Sequence, residues 1–108
     1  MSASQSEAEI VRAILKAVRA RGYFAFRIHG GPFTAPGLPD VFVFRGGQCW
    51  ALEVKRPGGK ASKVQLAVIG SLRAAGIRAE VVYGVSDALG IIGERERKNA
   101  KSQSEGGR

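Results

Sequence analysis

A chain of 108 residues holds one domain with one core and leaves no room for a separate regulatory domain. With 44% apolar and 24% charged residues it has the composition of a globular protein, which excludes disorder along most of its length. Seventeen Lys and Arg against nine Asp and Glu give a net charge of +8 and a pI near 10.4, so a polyanion, nucleic acid first, is the partner to consider.

Apolar residues at Ile10, Val11, Ile14, Leu15 and Val18 form the stripe of an amphipathic helix, predicted from Ser6 to Arg21 and stopped by Gly22. Tyr23 to His29 alternates and is aromatic-rich, Val41 to Phe44 is a short β-type run, and Cys49 to Val54 is another. The Gly46-Gly47 pair is suited to a hairpin turn between the last two. Ser62, with Gln65 three residues on, makes a capping box for a second helix that carries Val64, Ala67, Val68, Leu72 and Ala75 and stops at Gly76. Ala79 to Tyr83 reads as a fourth strand and Ser86 to Ile92 as a short apolar helix. Residues 1–93 are therefore expected to form the folded domain, and 94–108 a disordered polar tail. The fold class is α/β, in the order αβββαβ(α), with a mixed central sheet flanked by helices. Trp50 and the phenylalanines occupy core-like strand positions and read as packing.

Cys49 has no second cysteine to bridge to, and with His29 as the sole histidine a structural zinc site is excluded. No apolar run approaches the roughly 20 residues of a membrane span. The N-terminus has neither the basic nor the apolar region of a signal peptide. A soluble, cytoplasmic protein is expected. From Glu94 onward five basic and three acidic residues leave +2, so +6 of the charge belongs to the body.

Three charged residues interrupt the strand pattern. Asp40 opens the second strand after the breaker-rich loop Gly30 to Pro39, and Glu53 and Lys55 close the third. Residues i and i+2 on a strand share a face, so Glu53 and Lys55 project together while Val54 turns to the buried side. A turn at Gly46-Gly47 brings Asp40 beside Glu53, since each lies six residues from its nearer glycine. Hard divalent cations such as Mg²⁺ take carboxylates, waters and phosphate oxygens. Asp40 and Glu53 suit that need, the Val54 carbonyl can add an oxygen, and Lys55 can orient a water or meet charge developing on phosphorus. The chemistry implied is phosphodiester hydrolysis. An isolated Glu-x-Lys is commonly a surface ion pair of little energetic weight; the joint pattern carries the argument.

Gly37-Leu38-Pro39-Asp40, Ala51-Leu52-Glu53-Val54-Lys55, and Gly58-Gly59-Lys60-Ala61-Ser62 with Gln65 resemble the VRR-NUC family of PD-(D/E)xK nucleases, in the small stand-alone form of phages and bacteria. The resemblance spans roughly Glu7 to Asp87. It implies a restriction-endonuclease-like core, Mg²⁺ or Mn²⁺ as cofactor, and action on DNA, with Holliday junctions or other branched DNA as substrate, inside a bacterial cell or phage-infected host. It also implies a glutamate on the first helix. Glu7 lies at the edge of the apolar stripe and Glu9 nearly opposite its centre, so Glu7 is the candidate, with a Ser4-x-x-Glu7 capping box as its other role. Gln65 matches the family's glutamine near the active site, a role compatible with its cap. The expected catalytic set is Glu7, Asp40, Glu53, Lys55 and Gln65. Lys60, Lys63, His29 and Arg56 are candidates for DNA contact, though lysines there are equally ordinary as solvated side chains and a lone histidine is more often structural. Symmetric cutting of a junction needs two sites, so a homodimer is expected, with Ser86 to Ile92 as its candidate interface. Alternatives are a binding module without catalysis, or a nuclease of this fold for linear, flap or single-stranded DNA.

Overall fold

The computed structural model describes residues 5–28 and 34–93. His29 and the predicted tail at 94–108 lie outside the described residues. Helix α1 (Glu7–Ala20) is followed by strands β1 (Phe24–Arg27), β2 (Val41–Arg45) and β3 (Gln48–Val54), helix α2 (Lys63–Ala74), strand β4 (Arg78–Val82) and a helical segment, α3, at 85–93. The sheet order is β1-β2-β3-β4, antiparallel between β1, β2 and β3 and parallel between β3 and β4, with α2 as the crossover. This is the expected mixed α/β sheet between helices.

Period-two alternation sorts the strands into two faces. Val41, Val43, Trp50, Leu52, Val54 and Val82 meet the apolar stripe of α1, where Ile14 and Val18 are fully buried. Trp50 packs edge-on to Tyr23, 5.8 Å between ring centroids, as the largest buried side chain. The other face carries Ala51 and Ala79 beneath Ile69 and Leu72 of α2, small residues that let the helix lie close to the sheet. α3 buries Ala88 and Ile92 in the α1-side core, with Val85, Leu89 and Ile91 packed against it. Of the segment expected to offer a dimer interface, Ala88 and Ile92 are thus spent in the chain's own core, and Leu89 and Ile91 remain half-buried.

Both long helices begin in capping boxes. On α1 the box is Ser6 and Glu9, with Ser6 N–H donating to Glu9 Oε1 at 2.8 Å and Glu9 N–H to Ser6 Oγ at 3.1 Å. Glu7 is thus not the acidic half of a cap on α1. The β2–β3 register pairs Arg45 with Gln48, so the turn is the two residues Gly46 and Gly47, both at positive φ (57° and 79°) as a type I′ hairpin requires.

Gly37 has φ 81°, and a Cβ there would stand 2.6 Å from Val64 Cγ1 and 2.9 Å from the Val64 carbonyl oxygen. The loop before Asp40 is thereby seated on the first turn of α2. Gly37→Ala is expected to destabilise the fold by about 1–3 kcal/mol, from the left-handed backbone and the clash together. Denaturant unfolding measures it.

Candidate active site

Asp40 and Glu53 meet one residue beyond the last β2–β3 pair, Val41 with Leu52, where Asp40 N–H donates to the Leu52 carbonyl at 3.0 Å. Asp40 is fixed on both sides. Its carbonyl accepts from Ile28 N–H at 2.8 Å, and its Oδ2 accepts from Val54 N–H at 2.8 Å. The N–H and C=O of one strand residue point to the same neighbour, so the Val54 carbonyl also looks toward Asp40, past the end of β2. Sequence reasoning had picked out the Val54 carbonyl and missed its amide. The signal for it was the hairpin register, which sets residue 54 one step beyond the residue facing Asp40.

Among the described residues Glu53 is the one charged residue in the buried set, 2% exposed, and it lies on the α2 side of the sheet. Its Oε2 accepts from Gln65 Nε2 at 3.0 Å and is 3.5 Å from Lys55 Nζ, while its Oε1 is buried and receives no hydrogen bond. Burial, then the charge and hydrogen bonding of Asp40, push the Glu53 carboxyl up from 4.5 to about 7; Lys55 acts in the opposite direction. A buried carboxylate oxygen without a donor beside a second carboxyl is a costly arrangement for the chain alone. A cation between them would relieve it, so these residues fit a hard divalent ion. Among the described residues no group of three or more His, Cys, Asp and Glu gathers elsewhere or here. Two carboxylates with a backbone oxygen make the sparse donor set that leaves room for waters and phosphate oxygens.

Gln65 is held at both ends of its amide: Oε1 accepts from Ser62 N–H at 2.8 Å and Nε2 donates to Glu53. The cap and the site contact thus coexist in one side chain. Asp40, Glu53, Lys55 and Gln65 therefore form one cluster where the β2–β3 strands end and α2 begins. Glu7 is exposed in the first turn of α1, and no hydrogen bond or ion pair joins it to that cluster. Glu9, spent in the cap, is held below the usual carboxylate range chiefly by its hydrogen bond from the Ser6 backbone. Lys60, Lys63 and Arg56 are exposed around the start of α2 and the turn that follows β3. Arg56 also lines a cleft of about 290 Å³ with Gln5, Ile10, Pro57 and Tyr83, between the start of α1 and the strand ends.

An α/β core with a carboxylate pair and a lysine at the strand ends is the framework of a restriction-endonuclease-like nuclease domain. The VRR-NUC domain model matches residues 4–86, so the chain belongs to the VRR-NUC domain family. Solved structures of a VRR-NUC domain protein (20% identity, TM-score 0.69, covering 83% of this chain and 87% of that one) and of a VRR-NUC domain (24%, 0.64, 77% and 91%) are similar to it in fold. So is the Holliday junction resolvase Hjc of the archaeal hyperthermophile Archaeoglobus fulgidus, at 22% identity and TM-score 0.58 over 71% of this chain and 67% of that one. No curated protein matches the chain. No helix among the described residues is long and apolar enough to cross a membrane.

Proposed function

We propose that this nuclease-family domain is a Mg²⁺- or Mn²⁺-dependent DNA endonuclease selective for branched DNA, with four-way junctions as its expected substrate and a homodimer as its working form. The observation that carries the metal-dependent chemistry is the convergence of Asp40, Glu53 and Lys55 around a buried carboxylate oxygen that has no donor. Nucleic acid is suggested by the net charge of +8, and a branched form of it by the fold shared with a junction resolvase.

In this reading Asp40, Glu53 and the Val54 carbonyl would hold the ion, which would supply positive charge to offset that of the phosphate and lower the pKa of a water. Asp40 is presented by the Val54 amide and Glu53 by Gln65, so both carboxylates are oriented before substrate arrives. Lys55 Nζ directs a water toward phosphorus and meets the charge on the non-bridging oxygens. The water oxygen forms the new P–O bond as the bond to the departing sugar oxygen breaks, and the water's proton balances the charge left on that oxygen. Lys60, Lys63 and Arg56 hold flanking phosphates, joined by His29. Glu7 is a further ligand only if substrate or ion draws it toward the cluster.

The test is a panel of labelled four-way, flap, duplex and single-stranded DNA incubated with Mg²⁺, Mn²⁺ or chelator, with Asp40→Asn as the inactive control. The expected outcome is metal-dependent cutting, fastest on the four-way junction. Binding of junctions without any nick, unchanged by metal, defeats the enzyme reading; equal or faster cutting of flap, linear or single-stranded DNA defeats the selectivity.

A further inference from the structure

The parallel strands β3 and β4 end together, and just beyond their last pair, Val54 with Val82, Lys55 N–H donates to the Val82 carbonyl at 3.0 Å. Ligands of sheets with parallel strands gather outside such carboxyl ends. The cleft of about 290 Å³ opens here, and the cluster of Asp40, Glu53, Lys55 and Gln65 makes no use of it. Tyr83, the residue after β4, is 41% exposed. Its N–H donates to Asp87 Oδ2 at 2.9 Å, which fixes the backbone that carries the ring. Ile10 and Pro57 add apolar surface, Gln5 an amide with both donor and acceptor, and Arg56 a positive charge; the lining holds no carboxylate.

That set of groups selects the occupant. An aromatic ring beside a guanidinium suits a base together with its phosphate, and a side-chain amide can pair with a base edge through its donor and its acceptor. Small-ligand sites range over roughly 300–1,000 Å³, so a cleft of about 290 Å³ suits one nucleoside rather than a stretch of duplex. The position selects the strand. Arg56 follows Lys55 directly, about 3.8 Å on from Cα to Cα, so a strand whose phosphate lies against Lys55 passes the mouth of the cleft.

We propose that this cleft captures one unpaired nucleobase of the DNA strand that crosses the catalytic cluster, with the Tyr83 ring against the base, Gln5 at its edge and the Arg56 guanidinium on the adjoining phosphate. The identity of the strand rests on the nuclease reading; capture of a base needs no cleavage. In continuous duplex a base must be unpaired and unstacked before it can enter. Where strands part at a branch it is already free. The cleft thereby favours DNA with parted strands through a contact to the base itself, separate from the charge that draws in any DNA.

Fluorescence anisotropy of the full chain in chelator tests it, with three labelled DNAs: a duplex carrying one unpaired adenine, the same duplex with an abasic residue at that place, and the continuous duplex. The wild type is expected to bind the unpaired adenine about tenfold more tightly than the abasic form, the worth of one base stacked on an aromatic ring. Tyr83→Ser should erase that preference and Tyr83→Phe should keep it. Circular dichroism confirms folding, and Gln5→Ala, at an exposed position ahead of α1, replaces Tyr83→Ser if the latter does not fold. Equal affinity of the wild type for the adenine and abasic forms overturns the proposal, as does a preference that survives Tyr83→Ser. A preference erased by adenosine monophosphate at the concentration of the DNA also overturns it, since the cleft then belongs to a free nucleotide. A chain that cuts junctions without preferring the adenine removes the cleft and leaves the nuclease reading standing. One that prefers the adenine but cuts nothing with Mg²⁺ or Mn²⁺ removes the nuclease reading and leaves the base capture.

Discussion

Glu53→Gln is expected to reduce cleavage by at least about a thousandfold while making the metal-free chain more stable at pH 8. The two effects share one cause. Glu53 is buried beside Asp40, and its carboxyl is pushed up to about 7 from the ordinary 4.5. A carboxyl raised in this way favours folding fully below the unfolded value near 4.5, and that contribution is lost as pH rises through about 7. At pH 8 the ionised group is therefore a liability on the order of 2 kcal/mol. Glutamine keeps the shape, has no charge to bury, and cannot serve as an anionic ligand. Denaturant unfolding in chelator at pH 5 and pH 8 measures the first effect: wild type should weaken across that interval and the variant should not, apart from slopes common to both. Metal affinity of the wild type should climb through pH 7 and level off above it, because the ion takes the ionised carboxylate. A variant less stable than wild type at pH 8 would mean that the carboxylate is accommodated without cost.

Lys55→Met should lower cleavage by about two to three orders of magnitude, the effect expected for removing one preorganised charge from a phosphoryl transition state, with DNA affinity nearly unchanged. Methionine retains the apolar stem and removes the ammonium that lies 3.5 Å from Glu53 Oε2. Lys55 is what counters the upward push on Glu53, so its loss raises that carboxyl further. The residual activity should then need a higher pH, with its rising limb displaced upward from that of wild type. A pH–rate profile of both proteins separates this from a plain ion pair, for which the rising limb would shift in the same way but the plateau above it would stay at the wild-type rate.

The features legible in the sequence are the local ones. Strand alternation put Glu53 and Lys55 on one face, equal spacing about Gly46-Gly47 put Asp40 beside Glu53, and Ser62 with Gln65 marked the start of α2. Each depends on a few neighbouring residues. Capping of α1 was ambiguous because Ser4-Gln5-Ser6-Glu7-Ala8-Glu9 contains two overlapping Ser-x-x-Glu boxes, and the chain uses the second. What covers an element is not local at all. Phe24 and Phe44 alternate like core residues, yet α2 lies over β3 and β4, and Phe24 is exposed and Phe44 only half-buried. In reverse, the 86–92 stretch looked available for a partner, but Ala88 and Ile92 close the core against α1. The dual contact of Gln65 likewise needed the helix laid against the end of β3 before its free amide hydrogen could be directed anywhere.

The glycine hairpin acts as a gauge on the chemistry. With only two residues in the turn and every position from Val41 to Arg45 paired, there is no slack between Asp40 and Glu53, and side-chain direction alternates with each residue added. One extra residue in either strand would send one carboxylate through the sheet to the α1 side unless a bulge absorbed it. Variation in this lineage can therefore accumulate in what surrounds the hairpin much more readily than in its length.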